Sequence, residues 1–443
     1  MKRHTLTLLT AVSALAATAQ LSAPGVDIIS VDVPSSLGYN RAFVVPSSGG
    51  LTLTYTAAAT VTALERFSSL GAAYAEPVPF TAEGNNVTFT GEARDLGYRI
   101  TTAGGATSYF WLVDYASHRY SVSGIVPDPT AGDCSRILLT VDGQADAITI
   151  YGINGRPETL DRDIRLDYRS LIYDADAETY RESTVTETYK QLSGHISAPA
   201  PLCDTQFTLQ PDRFARQWRL ADAVSTGTVE ATAVEARTTA EQTIESSDNE
   251  QKAEAPDGSL GGSAPCEITF KAVVTDAAIY RRWEISTMPE FEDVTYTYDQ
   301  LDFTYTFTEA GTVYVRFTAN NAAGTCEYLG DTYTVSIGTS SLLCPNAFSP
   351  GSSEGVNDEW KVSYRSIVDF DCQIFNRWGK KLATLTHPSQ GWDGIVGGKP
   401  VSSGVYFYVI KARGADGKVY NLSGDINVIS SRRNNNLPSA PTE

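Results

Sequence analysis

The sequence predicts an all-β protein: tandem β-sandwich domains, ending in one further small β-sandwich. Three observations carry this. Tyr (23) outnumbers Phe (16), and Thr and Val are frequent, a bias towards strands. Short period-two runs such as Leu51-Thr52-Leu53-Thr54-Tyr55 recur between Gly and Ser pairs. With 443 residues the chain exceeds the roughly 100–200 residues of one domain, and its 42% hydrophobic content suffices for several packed cores.

Residues 1–19 read as a signal peptide. Lys2 and Arg3 precede an apolar run from Leu6 to Ala17, and Ala17-Thr18-Ala19 fits a small-residue cleavage site before Gln20. The run is shorter than the ~20 apolar residues that cross a bilayer, so no transmembrane segment is expected in the mature chain. The formal charge of −18 argues against a nucleic-acid partner, because phosphate contacts need clustered cations. Beyond His4, only His118, His195 and His387 are present, too scattered for a metal or catalytic centre. No cofactor is expected.

Residues 20–122 and 123–245 are each expected to form a β-sandwich domain. In the second, Ala147-Ile148-Thr149-Ile150-Tyr151 reads as a strand before the turn dipeptide Asn154-Gly155. Asp163-Ile164-Arg165-Leu166-Asp167-Tyr168-Arg169 places Ile164, Leu166 and Tyr168 on one face and alternating Asp and Arg on the other. Its close carboxylates suit a solvated strand face with ion pairs, or a glycosidase pair. Residues 229–245 read as the last strand of that domain. Residues 246–265, nearly devoid of large apolar side chains, read as a flexible linker.

In residues 266–338, Tyr280-Arg281-Arg282-Trp283-Glu284 is followed by the run Tyr305 to Val315 with its Ala310-Gly311-Thr312 turn. This segment resembles an immunoglobulin or PKD-type sandwich, which implies that Trp283 packs between the sheets. The six Cys fall two by two into separate segments. In an exported chain they read as three disulfides: Cys134–Cys203, Cys266–Cys326 and Cys344–Cys372.

Residues 341–432 hold five ordered blocks. They are Cys344-Pro345-Asn346-Ala347-Phe348-Ser349-Pro350, then Gly355-Val356-Asn357-Asp358, then Ile374-Phe375-Asn376-Arg377-Trp378-Gly379, then Gly391-Trp392-Asp393-Gly394, then Ser403-Gly404-Val405-Tyr406-Phe407-Tyr408-Val409-Ile410. Together they resemble the gliding-motility-associated, type B C-terminal domain of proteins exported by the type IX (Por) secretion system. The family's Asn-Gly-Asp-Gly loop is replaced by Gly351-Ser352-Ser353-Glu354-Gly355, leaving Glu354, Asn357 and Asp358 as oxygen donors for a candidate metal site. Trp378 and Trp392 are expected in the core. Val405 to Ile410 is apolar on both faces and suits a central strand. Residues 433–443 read as a disordered tail. From Ser341 onward the chain holds 11 basic and 9 acidic residues, so the −18 belongs to the rest of it.

The whole arrangement resembles the PorA-type cargo. That resemblance implies a non-enzymatic protein exported through the periplasm to the cell surface or extracellular space. Its C-terminal domain would be the translocation signal, read by the translocon at the outer membrane. The β domains would serve adhesion or surface signalling towards a surface protein or glycan, with attachment through lipopolysaccharide. The alternative is a carboxylate-dependent secreted hydrolase carried by the same signal, although no GxSxG elbow or HExxH motif is present.

Overall fold

The computed structural model describes residues 20–128, 131–243, 247–253, 255–256, 258–352 and 355–429. The expected signal peptide and the 433–443 tail lie outside the described residues. The chain divides into two compact units, residues 1–172 with 182–231, and residues 173–181 with 232–443. Strands dominate both.

The first unit opens with two layers, one antiparallel and one mixed, in which Arg41–Val45 runs parallel to Thr107–Asp114. A four-stranded sheet (Gln20–Ser22, Thr52–Thr56, Asn86–Thr90 and Phe80–Glu83) faces a six-stranded one that contains Arg41–Val45, Thr107–Asp114, Leu96–Thr102 and Val61–Phe67. Alternation buries Phe43, Leu53, Tyr55, Phe89, Tyr98, Ile100, Phe110 and Leu112 between them. Trp111 and Val113 point the other way, into a second core with Tyr115, Ile148, Ile150 and Phe214. Further along, the sheets Ser121–Pro127/Arg136–Gln144/His195–Pro199 and Thr179–Tyr189/Ile164–Asp174/Thr208–Gln210/Val224–Ser225 enclose Ile125, Leu139, Ile196 and Phe207. Ile164, Leu166 and Tyr168 are 0%, 0% and 3% exposed, as their period-two spacing requires.

Arg162 and Asp212 form an ion pair with both side chains fully buried. Asp212 also caps the helix Arg213–Trp218 by accepting the Ala215 N–H at 2.8 Å, and it accepts the Tyr115 hydroxyl at 3.1 Å. The Arg162 guanidinium donates to the His118 carbonyl at 2.9 Å. A buried charge with this many partners is costly to orphan. Asp212→Ala should destabilise the first unit by about 3–5 kcal/mol, read as a drop in a calorimetric transition. The double replacement Arg162→Met/Asp212→Leu should recover much of the loss.

In the second unit, Ala236–Thr243, Cys266–Val274 and Phe303–Phe307 form one sheet. It packs against Leu260–Gly262, Tyr333–Ile337, Gly311–Asn320, Tyr280–Ser286 and Val294–Tyr298. Trp283, 0% exposed, lies among Phe270, Phe303 and Phe317, and its indole N–H reaches the Leu301 carbonyl at 2.9 Å. Two differences from expectation stand out. The strand expected to close the 123–245 domain instead pairs along its length with Cys266–Val274, from Ala236↔Val274 to Thr243↔Glu267. The expected flexible linker is docked: Leu260–Gly262 adds in parallel to Tyr333–Ile337, and Asn249 to Gln251 bonds to the backbone around Tyr364. Strand addition uses backbone N–H and C=O groups, so a linker poor in apolar side chains joins a sheet edge all the same.

The disulfide expectations are corrected. Cys134 and Cys326 are disulfide-bonded, whereas Cys203, Cys266, Cys344 and Cys372 are thiols. The Cys134 sulfur is already engaged, so Cys203 is not bridged to it. Cys266 faces Phe307, beside the Gly311 end of Gly311–Asn320, while Cys326 follows its Asn320 end. Those ends are about 30 Å apart along a strand, far beyond the reach of a disulfide. Cys344 and Cys372 do enter one core, but the Cys344 thiol hydrogen-bonds the Tyr408 side chain.

Candidate functional site

The C-terminal domain has one main sheet, in the order Ala347–Phe348, Val419–Val428, Gly404–Gly414, Ile367–Phe375 and Lys381–Leu385. One face is covered by its own connections. Trp360 and Trp392 exchange backbone hydrogen bonds at 2.8 and 3.0 Å, tying two long loops together over that face. The Trp360 indole N–H donates to the Pro345 carbonyl at 2.7 Å, and its ring lies 5.1 Å from Tyr408. Trp392 packs on Phe348 and Tyr406.

Most of the sequence motif turns out to build these loops. The Asn346 carbonyl accepts the Asn427 N–H at 2.9 Å, and Phe348 is 3% exposed. Asn357 adopts φ +55°, and its carbonyl accepts the Ser349 N–H. Asp358 accepts the N–H groups of Gly351 and Gly355 at 2.8 and 2.7 Å, one on each carboxylate oxygen. That carboxylate organises the loop, and Glu354 lies outside the described residues. Among the described residues no group of three or more His, Cys, Asp or Glu gathers as a metal site. Asp393 accepts the Ile395 N–H at 2.8 Å, and Tyr406 donates to the Ser402 carbonyl at 2.9 Å. Gly394 takes φ +74° with Pro350 and Phe348 alongside, where an added Cβ would stand 3.2 Å from Phe348 Cζ.

One expectation fails here. Trp392 is core, but Trp378 is 76% exposed. It sits at the apex of the turn between Ile367–Phe375 and Lys381–Leu385, where there is no second layer to receive it. Gly404–Gly414 is the central strand of the sheet, as its pattern suits; Val405, Phe407 and Val409 are 46%, 42% and 43% exposed, while Tyr406, Tyr408 and Ile410 face the core. Among the described residues, the face with Tyr406, Tyr408 and Ile410 is the covered one. One signal in the sequence pointed to the Trp378 exposure: Asn376-Arg377-Trp378-Gly379-Lys380-Lys381 is a turn sequence dense in cations.

The carboxylates flagged in the first unit do not assemble a catalytic pair. Asp163 Oδ2 meets Arg165 at 2.8 Å and Arg216 at 2.7 Å. Partial burial pushes its pKa up, but the two guanidiniums outweigh that and hold it below the usual carboxylate range. A glycosidase acid needs the opposite shift. Asp167 accepts from Thr186 at 2.6 Å and Gln210 at 3.1 Å. In the second unit an open polar cleft is lined by Asp248, Lys252 and His387, with Lys361–Asp248 paired at 3.3 Å beside it.

Residues 342–426 match the CHU_C type IX secretion signal domain, and residues 126–226 match a fibronectin type III domain. A domain of the first kind marks the chain for export to the cell surface or extracellular space. No curated protein matches the chain. Among solved structures, a tetra-tandem repeat from the extending region of a large adhesion protein is 13% identical, covering 86% of this chain and 96% of its own, with a TM-score of 0.21. Five immunoglobulin domains of Sidekick-1 are 10% identical, covering 93% and 81%, with a TM-score of 0.24. Latent PorU from Porphyromonas gingivalis is 11% identical over 73% of this chain and 35% of its own, at 0.15.

Gly379 has φ +79° with open space around it, so Gly379→Ala should cost only the left-handed strain of about 1–2 kcal/mol. Gly394→Ala adds the Phe348 contact and should lower the melting temperature of the domain further than Gly379→Ala. Burial, with Cys344 beside it, pushes the Cys372 thiol up to about 12. Little thiolate is then present at mildly alkaline pH, so iodoacetamide should alkylate Cys372 in denatured but not in folded protein.

Proposed function

We propose that the chain is a non-catalytic surface cargo whose β domains act in adhesion or surface signalling. Its C-terminal domain is read, already folded, by the translocon at the outer membrane. The observation that carries this reading is that the segment matching the secretion signal is a complete small domain with its own core. Trp360, Cys372, Ile374, Ile410 and Ile426 are all fully buried within it. Its motif residues shape the surface loops of that fold rather than an extended peptide. The β-sandwich body, with its flagged carboxylates locked in ion pairs and hydrogen bonds, supports a binding role over hydrolysis.

Deletion from Ser341 should leave the upstream domains folded yet confined to the periplasm, read by fractionation and surface proteolysis. Surface delivery of the truncated chain would refute the export reading. Glycan or peptide hydrolysis by residues 20–340 would refute the non-catalytic one.

A further inference from the structure

The turn Asn376 to Lys380 holds an indole out in solvent. The Asn376 carboxamide oxygen accepts the N–H groups of Trp378 and Lys380, both at 3.0 Å, and the Asn376 carbonyl accepts that of Gly379. These bonds, with the left-handed Gly379, hold the turn in shape. Trp378 is 76% exposed, whereas Trp111, Trp283, Trp360 and Trp392 are at most 3% exposed and Trp218 is half-buried. The Arg377 guanidinium lies 4.3 Å from the Trp378 ring centroid. Lys380 and Lys381 follow, both exposed. Among the described residues none of these three cations has an ion-pair partner, while Arg413 on the same sheet is matched by Asp369 at 2.7 Å. Beside the turn, Phe375 pairs with Phe407, and the exposed Val405 and Val409 continue the strip.

We propose that this tip docks on an anionic lipid surface. Indole rings favour the boundary between headgroups and acyl chains, and nearby Lys and Arg are drawn to anionic headgroups. Trp378 and Phe407 enter that boundary, and Arg377, Lys380 and Lys381 contact lipid phosphates. Charge commits the occupant and the orientation. A chain of net charge −18 is repelled from an anionic surface as a whole, so only a face with unmatched cations can lead the approach. Position favours a membrane over a protein groove, since a turn apex reaches a flat surface without the sheet behind it having to fit a cleft. The proposal rests on the chemistry of the tip and is independent of how the chain is exported.

The test uses purified full chain with vesicles of mixed phosphatidylglycerol and phosphatidylcholine, and with phosphatidylcholine alone. Expected are co-sedimentation with the anionic vesicles only, a blue-shifted Trp emission quenched by brominated acyl chains, and loss of binding at high salt. Trp378→Ala and the double variant Lys380→Glu/Lys381→Glu should each weaken binding by at least about tenfold with unchanged circular dichroism. Absence of binding, equal binding to neutral vesicles, or unaltered binding by either variant would overturn the proposal. Concentration-dependent self-association abolished by Trp378→Ala, without lipid binding, would show instead that the tip joins copies of the chain.

Discussion

Two backbone hydrogen bonds between Trp360 and Trp392 give the C-terminal domain its core. A five-stranded sheet must bury at least one face, and among the described residues of this module no second large sheet lies against it. Its other strand pairs, Ser341–Leu343 with Ser363–Arg365 and Ile395–Val396 with Lys399–Pro400, are two or three residues long. The covering layer is therefore made of loops, and loops need backbone partners when buried. The Trp360–Trp392 exchange satisfies four such groups while presenting both indoles to the sheet. Among the described residues, the opposite face leaves Val405, Phe407 and Val409 exposed. Contiguous exposed apolar groups of this kind mark a surface meant for something else.

Side-chain periodicity made the interiors legible. Ile164, Leu166 and Tyr168 alternate with charges and are buried as that spacing demands, and Trp283 sits between its sheets. Pairing partners were less legible. Ala236–Thr243 falls in the segment read as the last strand of the 123–245 domain, and only its full-length register with Cys266–Val274 assigns it elsewhere. The linker was misread for a related reason. Gly261 bonds the Gln242 carboxamide through both its N–H and its carbonyl, and Asn249 reaches the carbonyls of Val362 and Pro388. None of these contacts depends on apolar side chains, so a polar composition did not reveal them.

The two Trp of the C-terminal motif show where residue type stops being informative. Both are flanked by glycine and turn residues, and size alone argues for burial of each. What separates them is position relative to the sheet. Trp392 lies in a connection that folds back over a face, and Trp378 in a hairpin that ends at an edge. The run Val405 to Ile410 poses the same ambiguity, since a strand apolar on both sides has either two covered faces or one face left for a partner. The asymmetry shows only once the loops are placed.

A division of labour within the motif follows. Pro345, Asn346, Asp358, Asp393 and Gly394 act through backbone and turn geometry, and Phe348 and Trp392 through packing. Substituting any of them changes the shape of the domain before it changes any contact with a partner. Arg377, Trp378, Val405 and Phe407 are different, because they are exposed and their removal leaves the core intact. A surface that meets the folded domain without disturbing its core would meet this second group. Loss of vesicle binding on changing Trp392 would then report on folding, whereas loss on changing Trp378 would report on the docking tip itself.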